Sequence, residues 1–327
     1  MYIKRRYSFW MVINWSKWPF IIGVIYSYLI CTLSVLLEAK LSLPWGPLTV
    51  IGIAVAFYLG FKNNSSYERT WEARKIWGAI VNNSRTFGAA VLAFVQGENT
   101  KEIQQELIYR HIAWMTALRH QLRLPRTWEH QKNRVKLYAP STSEDFHHKM
   151  ESELKELISN NEVNYLKKKT NQATQILKIQ SEKLQKYRDQ GYFEDFRHME
   201  LHQLIKSFYE DQGKAERIKN FPFPRQYASV AFWITLIFSI FIPFGMNEIM
   251  DGKQDGLLWF APFMSGLIIW VFFLMEKIGD YSENPFEGTY NDVPITNISR
   301  GIEIDLRQML DEENTPPPTS DENGFLM

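Results

Sequence analysis

Residues 41–96 read LSLPWGPLTVIGIAVAFYLGFKNNSSYERTWEARKIWGAIVNNSRTFGAAVLAFVQ. From Leu41 to Phe61 there is no Asp, Glu, Lys or Arg, and beyond Pro47 nothing ends a helix before Gly97. About 50 residues at 1.5 Å each make ~75 Å of helix, more than twice the roughly 30 Å apolar thickness of a bilayer. The stretch therefore predicts one helix that crosses a membrane and continues well past it.

Three further windows, 18–37, 226–247 and 256–275, are equally free of charged residues. Each has the ~20 residues that a helical span requires. Over its 327 residues the chain is 22% charged and looks like a soluble protein on average, but those charges lie wholly outside the four windows. A simple soluble enzyme is excluded, and so is a disulfide scaffold, because Cys31 has no second cysteine to pair with. Window 18–37 runs on into Glu38 without a cleavage-like site, so it reads as a retained first span.

Lys4, Arg5, Arg6 and Lys17 precede that span without an acid, whereas connection 248–255 is acidic, which places the N-terminus inside. Four spans then put the C-terminus inside too, and a multi-pass place in the cell membrane with both termini cytosolic is the expected location. The organisation expected is an N-terminal segment with two spans over 1–61, a cytosolic helical domain over 62–225, two spans within 226–275, and an acidic cytosolic segment over 276–327. Segment 62–225 carries 28 Lys and Arg against 20 Asp and Glu, while 276–327 carries 3 against 12. Opposite charge of this size predicts that the tail lies on the basic part. Asn314–Asn323, with three prolines and no apolar residue, is expected to be disordered.

The cytosolic segment reads as helices throughout, so the class is all-α. Beyond the long second helix, periodicity predicts helices near 101–122, near 142–159 with Ser141-x-x-Glu144 as a capping box, over 162–189, and over 193–209 closed by Gly213. Chemistry is poorly signalled. There is no phosphate-binding glycine loop and no nucleophile elbow, so neither an enzyme, a cofactor nor a nucleic-acid partner is expected. His198 and His202 share a helix face, but without a third nearby ligand they are read as surface histidines, and no metal site is assigned.

The second span is more informative. Ile53, Phe57 and Phe61 recur at i, i+4 and i+8, with Gly52, Ala54, Ala56 and Gly60 on neighbouring faces. Small residues let helices approach closely in lipid. A ring of such helices would turn large apolar side chains to its axis and form a narrow constriction that gates by dewetting. Asn63, Asn64, Ser65 and Ser66 restore a polar surface within the next turn, with Asn64 and Ser65 as the mouth below the neck. Periodicity alone favours the plainer reading that the stripe faces lipid or another span.

The run from Ile53 through Phe57, Gly60-Phe61-Lys62-Asn63-Asn64, Tyr67-Glu68-Arg69 and Trp71-Glu72-Ala73-Arg74-Lys75 to Trp77-Gly78 resembles the signature of bacterial bestrophin homologues. Glu216-Arg217-Ile218 before Pro222 and Pro224, and Glu283-Asn284-Pro285-Phe286 with Asn291-Asp292-Val293-Pro294, follow in the same order. The resemblance covers about residues 1–310. It implies a homopentameric channel for monovalent ions in the lipid bilayer, with four spans per subunit and one axial pore. Ile53, Phe57 and Phe61 would be its neck, and Ile179 a second, cytosolic constriction. Animal members hold calcium with a dense acidic run just after Asn-Pro-Phe; here only Glu287 and Asp292 remain, too few for the six to eight oxygens that calcium takes. The family does not fix the sign of the ion. The basic cytosolic segment favours anions such as chloride, with a cation-selective channel or a membrane-anchored helical interaction protein as the alternatives.

Overall fold

Pro47 sits in the first turn of α2 (Trp45–Phe94), and with no proline after it the helix runs unbroken for 50 residues. It stops just before Gly97, whose φ of +112° no side-chain-bearing residue adopts readily. The computed structural model describes residues 1–38, 40–130, 146–250 and 260–327, and among these the regular structure is helical apart from two isolated β-bridges. The other helices are α1 (Phe9–Leu36), α3 (Thr100–Leu122), α4 (Phe146–Leu157), α5 (Asn160–Lys167), α6 (Gln172–Asp189), α7 (Asp195–Asn220), α8 (Arg225–Met250), α9 (Ala261–Asp280) and α10 (Ile295–Met309). Among the described residues, four stretches are long and apolar enough to cross a membrane, and they lie in α1, α2, α8 and α9.

The chain divides into two compact units. One comprises residues 4–68 and 223–283, and so contains α1, the first half of α2, α8 and α9. Its helices meet where side chains are smallest, as apolar packing in lipid requires. A Cβ added at Gly266 of α9 would lie 2.4 Å from Val24 of α1, and one at Gly52 of α2 would lie 2.8 Å from the Phe238 ring of α8. Polar ties are few and directional. Trp270 Nε1 donates to Ser16 Oγ at 2.9 Å, and Glu248 accepts from the Trp45 backbone N–H at 2.6 Å. That carboxylate satisfies an otherwise orphaned donor at the positive end of α2.

The second unit comprises residues 1–3, 69–222 and 284–327. At its centre is α3, with both apolar and cationic residues buried along its length. His111 is fully enclosed among the rings of Phe87, Trp114 and Phe208, with Nε2 2.9 Å from Ser84 Oγ. Burial holds its imidazole neutral and lowers its pKa to about 3. Arg110 is paired with Glu106 and Glu162, at 2.8 and 2.9 Å. Burial opposes ionisation of Glu106, yet hydrogen bonds from Lys183, Tyr187 and Arg110 prevail and hold its pKa at about 2.

The acidic tail lies on this unit as its charge predicts. Asp305 pairs with Arg85 of α2 at 2.7 Å, and Glu312 accepts from the Tyr109 hydroxyl of α3 at 2.9 Å. Three details differ from the expectation. The helix predicted over 162–189 is two, α5 and α6, because Asn171 leaves the helix and its side chain caps the Thr174 N–H at 2.9 Å. Gly213 does not close α7, because Ala215 and Ile218 extend the buried face and outweigh the ~1 kcal/mol cost of a helical glycine. The end of the tail is docked rather than free: Phe325 and Met327 are buried, and Ile3 N–H donates to Gly324 O at 2.9 Å. These apolar anchors lie just past the Asn314–Asn323 window on which disorder was expected, a window that itself carries no helix. The capping box Ser141-x-x-Glu144 lies outside the described residues.

The shifts of His111 and Glu106 set an acid limit. Each has a folded pKa below its ordinary value of 6.5 or 4.5, so the unfolded chain binds more protons and stability is lost as pH falls. Tryptophan-monitored unfolding should show stability declining from pH ~6.5, with each such group contributing at most about 1.4 kcal/mol per pH unit. In His111→Gln the decline between pH ~6.5 and ~4.5, above the range where carboxylates such as Glu106 start to protonate, should be shallower; an unchanged profile would assign the acid response to other groups such as His198, whose pKa burial also lowers.

Candidate functional site

Helix α2 has two faces within the membrane unit. Leu48, Val55 and Leu59 are buried against Ala231, Phe238 and Ile242 of α8 and Ile269 of α9. On the opposite face Ile53, Phe57 and Phe61 are 65%, 68% and 58% exposed. The Phe57 and Phe61 rings meet edge to face, with centroids 4.6 Å apart and planes at 85°. One chain therefore presents a continuous apolar stripe to which it gives no cover. Gly60, beside it, has no heavy atom within 4 Å of where a Cβ would stand.

Asn64 is seven residues, almost two full turns, beyond Phe57 and lies on the same face. It is exposed and donates to Glu68 Oε1 at 2.9 Å, while Ser65 is half-buried. Ile53, Phe57, Phe61, Asn64 and Ser65 thus fall in one unit and on one helix. Ile179 does not join them. It belongs to α6 in the other unit, half-buried and packed against the core that includes Ile176 and Leu177. His198 and His202 stack on each other with centroids 6.0 Å apart, and His202 Nδ1 lies 3.3 Å from Ser181 Oγ. Among the described residues no three His, Cys, Asp or Glu gather as a metal site.

Two functional candidates escaped sequence reasoning. Lys62 and Glu276 form an ion pair of 2.9 Å whose side chains are only 1% and 12% exposed. A signal was present, since each is the first charge after a charge-free window. One residue beyond Lys62 and three beyond Glu276, Asn63 Oδ1 would lie 2.3 Å from a Cβ on Gly279.

The two acids after Asn284-Pro285-Phe286 are already engaged. Asp292 Oδ2 accepts from Arg123 at 2.8 Å and from the Gly288 N–H at 2.5 Å, and Oδ1 accepts from the Thr289 hydroxyl at 2.9 Å. Arg123 also donates to Val293 O at 3.1 Å, with its side chain fully buried. Glu287 lies 2.9 Å from His130 Nδ1, and burial raises its pKa. A guanidinium and an imidazole therefore occupy the carboxylates that a cation would need.

This fold and these motifs define a multi-pass membrane protein. Residues 12–308 match the family model described as Bacterial/Fungal Bestrophin protein, and the chain belongs to that family. It is 26% identical over 326 residues to the voltage-dependent anion channel-forming protein YneE of Salmonella typhi, covering 96% of both chains. The YneE of Escherichia coli K12 is 28% identical over 270 residues, covering 83% of this chain and 78% of that one. A crystal structure of a bacterial bestrophin homolog from Klebsiella pneumoniae shares the fold, with a TM-score of 0.75 at 21% identity over 90% of this chain and 98% of that one.

The engagement of Asp292 yields a test. Thermal unfolding of the purified protein should have the same midpoint in chelator and in millimolar calcium. Asp292→Asn should be less stable under both conditions by about 3–5 kcal/mol, the usual cost of leaving a buried charge unpaired. A midpoint that rises with calcium and loses that rise in Asp292→Asn would reveal a metal site.

Proposed function

We propose that this chain forms an anion channel in the cell membrane, as a ring of five copies around one pore lined by α2. The observation that carries the proposal is the bare stripe of Ile53, Phe57 and Phe61, backed by a fully packed opposite face and followed by exposed Asn64. A pore bounded by one helix per subunit requires cyclic symmetry, because every copy must turn the same face to the axis. In such a ring the stripe forms a dry neck that passes small monovalent ions and gates by dewetting. Asn64 and Ser65 form the wetted mouth below it, and Ile179 a second, cytosolic constriction. The relatives named anion channel-forming proteins favour chloride and similar anions. The residue pattern supports both termini on the cytosolic side of a bacterial inner membrane.

Reconstitution into planar bilayers tests this directly. Under a potassium chloride gradient the reversal potential should approach that of chloride; a value near that of potassium would make the channel cation-selective. Silence across the gradient would instead support a membrane-anchored interaction protein. Mass measurement in detergent should give five chains. Phe57→Ala should raise flux, because a wider apolar constriction wets more readily. If Ile53→Ala, Phe57→Ala and Phe61→Ala all leave flux unchanged in a conducting protein, the neck lies elsewhere.

A further inference from the structure

Apolar packing in a membrane says little about rotation. Lipid tails are as apolar as Leu48, Val55 and Leu59, so turning α2 about its own axis exchanges one apolar contact for another at small cost. Rotation nevertheless decides what α2 presents on its free face. One residue is 100° of helix. A turn of that size in one sense would replace Ile53, Phe57 and Phe61 with Gly52, Ala56 and Gly60; in the other sense it would bring Ala54, Tyr58 and Lys62. The first set would leave an open hole and the second a charged ring.

The structure holds α2 by contacts that are directional. Near its start, Gly245 of α8 receives Trp45 and Leu48, whose side chains would lie 2.7 and 3.1 Å from an added Cβ, and one turn further on Gly52 receives the Phe238 ring. At the lower end of the stripe the grip changes character. Lys62 immediately follows Phe61, points into the protein, and meets Glu276 of α9 at 2.9 Å. Gly279 lies three residues beyond Glu276 on the same face of α9, where Asn63 closes on it. Two consecutive residues of α2 are thus seated on two adjacent points of α9. A buried ion pair is a poor source of stability compared with apolar residues of the same volume, and setting register is its best-attested use.

We propose that the Lys62–Glu276 pair, with Asn63 seated on Gly279, is a positioning device that fixes the rotation of α2 and thereby selects Ile53, Phe57 and Phe61 as the neck. This rests on the neck reading above.

The test uses the reconstituted full chain and three variants. Lys62→Met/Glu276→Leu keeps the volume and removes the direction. Lys62→Glu/Glu276→Lys restores a pair with reversed polarity, and Phe57→Ala reports on the neck itself. Flux of chloride and the reversal potential with chloride opposed to the larger anion gluconate are recorded for each, after mass measurement in detergent. The expected result is that the apolar double variant assembles like wild type but loses its discrimination against gluconate, as Phe57→Ala does, while the charge swap recovers it. If the apolar double variant assembles and conducts like wild type while Phe57→Ala shifts the discrimination, the positioning role is wrong and the neck stands. If Phe57→Ala is silent, the neck reading fails, and any effect of the pair then acts elsewhere, which also overturns the proposal. If neither double variant assembles, the pair is needed for folding and not for register, and the proposal falls. Gly279→Ala, which pushes on Asn63 without touching charge, should move the discrimination in the same direction as the apolar variant.

Discussion

The membrane unit depends on α2 committing one face wholly to its own subunit and leaving the other bare. In water such a division would follow from the hydrophobic effect, but in lipid both faces find an equally apolar medium. What separates them is sterics and charge. Gly52 accepts the Phe238 ring, Gly245 accepts Trp45, and Lys62 must reach Glu276. Losing either partner of that pair strands a charge in low dielectric, at a cost of about 3–5 kcal/mol, whereas an exposed pair is worth roughly 1 kcal/mol or less.

Charge organises the other unit in a different way. Helix α3 and its C-cap turn Arg110, Arg119 and Arg123 inward, and each is neutralised: Arg110 by Glu106 of the same helix and by Glu162, Arg119 by Glu153, and Arg123 by Asp292. The tail supplies one of these partners and adds apolar weight through Ile295, Ile302 and Leu306. Leu306 comes so near the backbone of α2 that a Cβ on Gly88 would lie 2.5 Å from it. Part of the excess of basic residues in 62–225 is therefore consumed by the excess of acidic residues in 276–327, and docking rests more on Arg123 and packed leucine and isoleucine than on surface pairs such as Arg85–Asp305.

The long reach of α2, the four spans and the shared face of Ile53, Phe57 and Phe61 were legible because each is written as local periodicity or as an absence of charge. The break at Asn171 was not, since a single capping side chain outweighs a helical pattern that continues on both sides. Helix α10 was not legible although Ile295, Ile298, Ile302 and Leu306 recur at helical spacing, because Asn297, Ser299 and Gly301 fill its first half with weak helix formers. The Arg123–Asp292 and Lys62–Glu276 pairs join residues 169 and 214 positions apart, and no local pattern encodes such a partnership. Only the placement of each lone charge at the edge of an apolar window hinted at the second.

The same pair bears on what the bare stripe faces. Trp18, Ile22 and Ile25 of α1 are also exposed apolar residues, so exposure by itself does not tell lipid from pore. A lysine closing a lipid-facing stripe would extend outward, laying its stem along the bilayer edge with the ammonium in water. Lys62 stands about 100° off the stripe on the packed side of α2, turns into the protein and is neutralised there, so that exposed Asn64 is the first polar group along the open face. In the proposed ring, lysine at this level on the open side would place ammonium groups directly beneath the aromatic rings and give an anion a deep well to leave. Withdrawn and paired, it leaves Asn64, with exposed Glu68 one turn beyond it, as the polar groups that follow the apolar stripe along the open face.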